Sequence, residues 1–307
     1  MRVGFDPRPT TDLRGIGRYA SSLLAELRPL AAAKGATLVE TTRARGLDVF
    51  HSPWIDGAPL RPGGVPIVVT LHDLVPLKRR DEYLRTGLRF RLRYLAVQRA
   101  TRVIVPTHSV AGDVARLLHL PEERLHVIGE AAAASMYPRS DDEVAALRER
   151  LQLPERYLLW VGGLEHPDPR KRVGQLALTP RTLPLVLAGP VGDWARELPD
   201  VQLTGPLSDD DLAALYTGAH ALVFPSDEEG YGLPPVEALA CGTPVVASDV
   251  PALRETLGDR ATLVEPSDLR ALVTAAEAAE RPAPPPLERT WTEVAAETWA
   301  VYEAAAG

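Results

Sequence analysis

Two acids eight residues apart, Glu229 and Glu237, bracket the string EGYGLPPVE. The residue types between them suit the binding of a nucleotide diphosphate. An apolar run ends at Pro225. A loop carrying Asp227, Glu228 and Glu229 follows, then Gly230, Tyr231 and Gly232. Pro234 and Pro235 fit the opening turn of a helix, with Glu237 expected in its first turn. A helix start offers backbone N–H groups, here from Gly232 and Leu233 on to Val236, and such groups receive phosphate oxygens. Glycines let the backbone come close. A carboxylate at the position of Glu237 accepts bonds from ribose hydroxyls, as acids do in dinucleotide sites. The plain structural alternatives are that Glu237 supports a helix dipole and that Glu229 is a solvated loop acid. Glu228 is one residue out of register.

Such a loop needs a parallel strand to deliver it, and the chain is patterned to build many. Apolar runs rich in Val, Ile and Leu, without polar alternation, occur at 1–5, 37–40, 49–51, 66–71 and 103–106. A second series occurs at 125–128, 157–161, 183–188, 201–203, 221–224 and 244–247. Strands covered on both faces read this way. Amphipathic stretches separate them: residues 16–33 place Ile16, Tyr19, Ala20, Leu23, Leu24 and Leu27 at helical spacing. Ser208 before three acids reads as a capped helix start, which explains Asp209, Asp210 and Asp211 better than a metal site does. The alternation predicts an α/β fold with doubly wound parallel sheets. The strandless stretch 131–153 suggests a boundary there. We expect a first domain over 1–135, a second over 136–286, and a terminal helix over 287–307 packing back near the domain junction. RPAPPP at 281–286 reads as a stiff linker.

Of 307 residues, none form a run of about 18 apolar positions that would span a membrane, and no secretory signal opens the chain. A cytoplasmic protein is the expectation, with peripheral placement at the inner membrane face as an option. Cys241 is the single cysteine, so no internal disulfide can form, and it reads as a small buried apolar residue. Residues 1–120 carry a net charge of +9 and residues 121–307 one of −16. The acidic half argues against nucleic acid as a partner; the basic half could face an anionic acceptor or surface.

With these residues in view, EGYGLPPVEALACGTPVVAS resembles the E-x7-E segment of retaining glycosyltransferases of family 4, including bacterial mannosyltransferase-like members. TDLRGIGRYASSLL, VVTLHDLVPL and YLLWVGGLEHPDPRKRV resemble further segments of that family, in the same order. The resemblance implies the GT-B plan: two facing Rossmann-like domains with a cleft between them and the donor held by the second. It implies that Glu237 binds the donor ribose and Glu229 the transferred sugar. Lys171 is implied to bind the diphosphate, with Arg170 and Arg172 as neighbours that could assist. Gly15 and Gly17 are implied to let the first domain's backbone approach the phosphates, and His72 to act near the sugar. His51 and Trp54 fall where members contact acceptor or donor sugar. No metal and no cofactor is expected, the substrate being a GDP- or UDP-sugar, with GDP-mannose the first expectation. The acceptor is expected to be a glycan, a lipid-linked molecule or a small molecule.

The chain departs from the family pattern at Gly162 and Gly163, where many members carry an arginine, and the first domain is short. A non-catalytic nucleotide-sugar-binding protein, or a partner subunit of a transferase complex, is therefore the alternative reading. Residues 78–102 offer Leu84, Leu88, Leu92 and Leu95 beside Arg85, Arg89 and Arg93. That pattern suggests contact with an anionic membrane; an ordinary packed helix with a basic outer face explains it too.

Overall fold

The computed structural model describes residues 1–12, 15–60, 63–79 and 88–307, the side chains of 88–90 excepted. The chain divides into two units, Met1–Glu130 with Arg289–Gly307, and Ala131–Glu288. Each is a six-stranded, wholly parallel sheet flanked by helices.

The first sheet holds β1 (Arg2–Phe5), β2 (Thr37–Glu40), β3 (Val49–Ser52), β4 (Ile67–Thr70), β5 (Arg102–Val105) and β6 (Leu125–Val127), in the order β2-β1-β3-β4-β5-β6. β3 and β4 are buried along their whole length, which is why their sequences do not alternate. Helix α1 (Gly15–Ala33) buries Tyr19, Leu23, Leu24 and Leu27. The short α2 (Val75–Lys78), α3 (Leu88–Arg99) and α4 (His108–Leu118) follow. The 125–128 run was grouped above with the second series, but it forms the edge strand of the first sheet, Leu125 pairing with Val103. Apolar patterning identifies a strand without saying which sheet it joins.

The second unit opens with α5 (Asp141–Leu151), started by a reciprocal capping box between Ser140 and Glu143. Its strands are β7 (Leu158–Val161), β8 (Leu185–Ala188), β9 (Val201–Gly205), β10 (Ala221–Phe224), β11 (Val245–Ser248) and β12 (Thr262–Val264). Their order is β12-β11-β10-β7-β8-β9. The intervening helices are α6 (Val173–Leu178), α7 (Asp193–Arg196), α8 (Asp209–Gly218), α9 (Leu233–Ala240), α10 (Pro251–Leu257) and α11 (Leu269–Glu277). β12 went unread in the sequence because it has three residues and none is fully buried. Ser208 caps α8 by accepting the Asp211 N–H (3.2 Å). The three acids after it are engaged by Ser135, Arg139 and Arg150.

The terminal helix α12 (Trp291–Ala306) belongs to the first unit. Thr290 and Glu293 form its capping box. Trp291 meets Tyr19 edge to face (5.7 Å between ring centres), Tyr302 reaches His51, and Lys34 pairs with Glu303 (3.1 Å). The chain thus leaves its first sheet, completes a second, and returns to cover the first. No helix among the described residues is long and apolar enough to cross a membrane. In α3 the buried side chains are Tyr94, Ala96 and Val97, with Leu92 and Leu95 partly buried beside them. Leu84 and Arg85 lie outside the described residues, as do the side chains of Leu88 and Arg89. Arg93 is paired with Asp56.

Candidate functional site

In a doubly wound sheet, ligands bind beyond the carboxyl ends of the strands, where the winding reverses and neighbouring loops diverge. In the second sheet the reversal lies between β7 and β10: β8 and β9 extend to one side, β11 and β12 to the other. The loops leaving these two strands are 162–172 and 225–232. The Asp227 N–H donates to the Arg170 carbonyl (3.0 Å) and ties them together. Arg170 is held from two sides. Its Nε donates to Asp168 (3.1 Å), while its Nη1 donates to the Glu229 carboxylate (3.2 Å) and to the Glu228 carbonyl (3.2 Å). The Lys171 ammonium stands over the Trp160 indole, 5.8 Å from the ring centre. Arg172 points elsewhere, donating to Gln175 and the Pro266 carbonyl.

Gly162 makes that arrangement possible. A Cβ there would lie 2.7 Å from the Trp160 ring. The buried indole occupies the space that a side chain at position 162 would need.

The start of α9 is more selective than its sequence suggested. Gly232 takes φ +94°, a backbone conformation that side chains disfavour, and a Cβ on it would lie 2.5 Å from Leu253. Pro234 and Pro235 have no N–H, and the Val236 N–H goes to the Gly232 carbonyl (3.4 Å). The expected row of amides from Gly232 to Val236 contracts to Gly232 and Leu233. Glu237 is the fifth residue of α9, past its first turn, so support of the helix dipole does not account for it. The residue is 2% exposed, and its carboxylate accepts the Tyr216 hydroxyl (3.1 Å). Cys241 closes the helix, with its thiol pushed up to about 12 by burial and then by Glu237; it is not a nucleophile at neutral pH.

The structure therefore gathers Arg170, Lys171, Glu229, Gly232, Leu233 and Glu237 at one end of one sheet. Gly15, Gly17, His51, Trp54 and His72 all lie in the first unit. Gly15 is the exposed first residue of α1. Gly17 is buried, and a Cβ there would lie 1.8 Å from the Asp12 carbonyl oxygen. That close approach of chain to helix accounts for Gly17 without a phosphate.

The two histidines differ. His51 is fully buried; Nδ1 bonds the Tyr302 hydroxyl (2.6 Å) and Nε2 the Thr70 hydroxyl (2.8 Å), which also meets Tyr19 (3.0 Å). It has no surface from which to touch an acceptor. Burial, then the neighbouring His72, lowers it to about 3, so it is neutral. His72 bonds the Pro53 carbonyl through Nε2 (3.0 Å) and the Glu130 carboxylate through Nδ1 (3.2 Å). Both partners are acceptors, and a ring that donates to both is the protonated one. Burial, the largest influence, lowers His72, but the Glu130 carboxylate, the Pro53 carbonyl and Asp73 together hold it above its ordinary value. A ring in that state is a cationic donor rather than a base. Glu130, buried at the end of the unit, carries no motif by which a sequence could reveal it. Asp6 could have been found: it is an acid directly after a parallel strand. Trp54 is partly exposed, and its Nε1–H donates to Asp6 (3.2 Å).

Comparison with known proteins follows the same division. The model for Glycosyltransferase Family 4 matches residues 6–131, and that for Glycosyl transferases group 1 matches residues 155–279. The serotype-specific mannosyltransferase WbdA of Escherichia coli is 31% identical over 231 residues, which are 66% of this chain and 28% of WbdA. The chain thus spans less than a third of that relative. Among solved structures, sucrose-phosphate synthase from Thermosynechococcus elongatus aligns over 100% of this chain and 96% of its own, with TM-score 0.72 and 21% identity. Anabaena HepE in complex with UDP-glucose aligns over 99% and 94%, with TM-score 0.67 and 16% identity. Two parallel six-stranded sheets, each matched by its own model, make this chain a family 4 glycosyltransferase domain followed by a group 1 glycosyltransferase domain, on the GT-B plan.

Proposed function

We propose that the chain is a retaining hexosyltransferase that takes its sugar from a nucleotide-diphosphate donor bound at the carboxyl ends of β7 and β10. The observation that carries this reading is the convergence of Lys171, Arg170, the Gly232 and Leu233 amides and Glu237 at the winding reversal of the second sheet. Breaking the anomeric bond leaves negative charge on the diphosphate. Lys171, braced on Trp160, and the two amides oppose that charge as it develops. Glu237 receives the ribose hydroxyls, and Glu229 the hydroxyls of the transferred sugar, exchanging its bond to Arg170 for them. Arg170 then turns to the phosphates. For His72 the family resemblance implies a role toward the sugar, and its two accepting partners make it a donor in that role. The attack takes place on the face the donor leaves, with the donor phosphate accepting the acceptor's proton, as the family resemblance implies. No metal or cofactor enters this scheme, and the site is in a cytoplasmic protein.

A GDP- or UDP-hexose is the donor class. The mannosyltransferase relative favours mannose as the sugar, and the UDP-glucose complex of HepE supports a nucleotide sugar in general. One observation favours the alternative of a non-catalytic binder: Arg170 is compensated by both Asp168 and Glu229. Incubation of the full chain with radiolabelled GDP-mannose and UDP-glucose separates the two. Release of free sugar or its transfer supports the enzyme. Tight nucleotide-sugar binding without turnover against a broad set of acceptors supports the binder.

A further inference from the structure

The chain passes out of the first unit after Glu130 and is back in it from Arg289 on. The two ends of that excursion are fastened to each other. The ladder of β6 continues one residue past the strand, where the Ile128 N–H donates to the Val105 carbonyl (2.9 Å). Gly129 comes next, a residue type that loses much freedom when it is held in place. Its carbonyl accepts Nε of Arg289 (2.8 Å). The two Nη groups of the same guanidinium go to Glu297 of α12, one to each carboxylate oxygen (3.1 and 2.7 Å). A planar fork bonded in this way has one orientation. Its helix is fixed in turn, capped at Thr290 and buried at Val294, Trp299 and Tyr302. Arg289 thus passes the position of a docked helix on to the main chain at Gly129.

Glu130 follows directly. It is buried, and its carboxylate meets Nδ1 of His72 (3.2 Å). The Pro53 carbonyl takes Nε2 (3.0 Å), and the Tyr19 ring stands edge-on to the imidazole (4.6 Å between ring centres). The carboxylate reaches His72 only from where the main chain at 129 and 130 places it. Arg289 and Glu297 cancel in charge, so their fastening acts through place rather than through field.

We propose that Gly129 and Glu130 form a strap that positions His72 for the transfer, and that Arg289 is the residue that holds the strap. The proposal deepens the glycosyltransferase reading and rests on it for the word transfer. A pH titration of the full chain labelled with 15N at histidine tests it, His72 and His51 being identified by the loss of one signal each in His72→Gln and His51→Gln. The groups facing His72 are Glu130, Asp73, the Pro53 carbonyl, Tyr19 and His51. In the unaltered chain His72 is expected to titrate above 6.5. Glu130→Gln is expected to bring it down, and Arg289→Gln and Arg289→Lys to bring it part of the way. The sign is diagnostic: loss of a cation at fixed geometry would raise His72, so a fall in Arg289→Gln comes from a displaced Glu130. Arg289→Lys keeps the charge and loses the fork, so it should not rescue. His51, which bonds Tyr302 of α12, should stay near 3 throughout, showing that the helix remains docked. In the same variants kcat for sugar release from GDP-mannose or UDP-glucose should fall by about 10- to 100-fold with KM little changed, the cost of a misplaced group. A His72 that stays or rises in Arg289→Gln, full rescue by Arg289→Lys, an unchanged kcat, or His51 moving toward 6.5 together with His72 overturns the proposal. Should the Arg289 variants not fold, Glu130→Asp withdraws the carboxylate by one methylene at constant charge, and an unmoved His72 there overturns it as well. If neither nucleotide sugar is turned over while His72 follows Glu130 and Arg289, the transferase reading fails and the strap stands.

Discussion

The two sheets reverse their winding in the same way, yet their crevices are furnished in opposite styles. Beyond β7 and β10, backbone comes first: Gly162 and Gly232 clear space, Pro234 and Pro235 remove amides, and two N–H groups remain at a helix start. Beyond β1 and β3, side chains come first: Asp6, Arg8 and Trp54 interlock and leave one edge of a guanidinium outward. Each crevice has a buried carboxylate. Asp6 is engaged by a cation and an indole; Glu237 accepts a neutral tyrosine hydroxyl. The lesson is one of ligand class. Amides and a lysine suit a multiply charged diphosphate, whereas Arg8 is already compensated by Asp6 and offers an anion no net charge.

The sharpest way to break that contrast is at Lys171. Lys171→Ala removes the ammonium proposed to oppose the leaving diphosphate, and kcat/KM for the nucleotide sugar should fall by about 100- to 1000-fold, the range for one preorganised charge-stabilising group. A nucleoside diphosphate should lose affinity while the monophosphate keeps it; equal losses would place Lys171 away from the phosphates. Glu237→Gln comes next. It keeps an oxygen that can accept the Tyr216 hydroxyl but gives up the charge. The expected loss is about 10- to 100-fold in kcat/KM, that of a charge-assisted hydrogen bond, with thermal stability little changed. Wild-type turnover would return Glu237 to a packing role.

A smaller effect tests the backbone side of the contrast. Gly162→Ala puts a Cβ 2.7 Å from an indole that is itself fully buried, so the ring cannot move freely. Overpacking of this kind should cost about 1–3 kcal/mol in denaturant unfolding. A neutral result would mean that the indole yields.

One half of the second crevice was legible in the sequence because its chemistry is local: Glu229, Gly232, Pro234, Pro235 and Glu237 stand within one stretch, EGYGLPPVE, while Gly162, Arg170 and Lys171 come from the loop after β7. The strands were legible because full burial leaves unbroken apolar runs. What stayed hidden depended on distance along the chain. Glu130 meets His72 across 58 positions, and Tyr302 meets His51 across 251. The return of α12 to the first unit turns His51 from a strand residue near a ligand crevice into a core side chain. Sequence neighbours could not tell it from His72. The loss of donors at Pro234 and Pro235 was legible from their identity alone.

Those two histidines supply the finest test, since they lie in one unit and are shifted in opposite directions. His72, facing Glu130, Asp73 and the Pro53 carbonyl, is raised; the unfolded chain holds it near 6.5. Its contribution to stability is complete below about 6.5 and is lost as pH climbs through the native value. His51, enclosed with Tyr302 and Thr70 and facing His72 and Asp6, is lowered to about 3. Below about 6.5 the unfolded chain takes up a proton that native His51 refuses, so stability falls with pH down to about 3. Each slope is at most about 1.4 kcal/mol per pH unit. Denaturant unfolding from pH 3.5 to 8 should therefore show Glu130→Gln flattening the alkaline side and His51→Gln flattening the acid side. NMR titration of the two imidazoles gives each value directly. Two rings titrating together near 6.5 would mean that Glu130 neither holds the charge on His72 nor makes it a fixed cation, and the electrostatic role assigned to that ring would go with it.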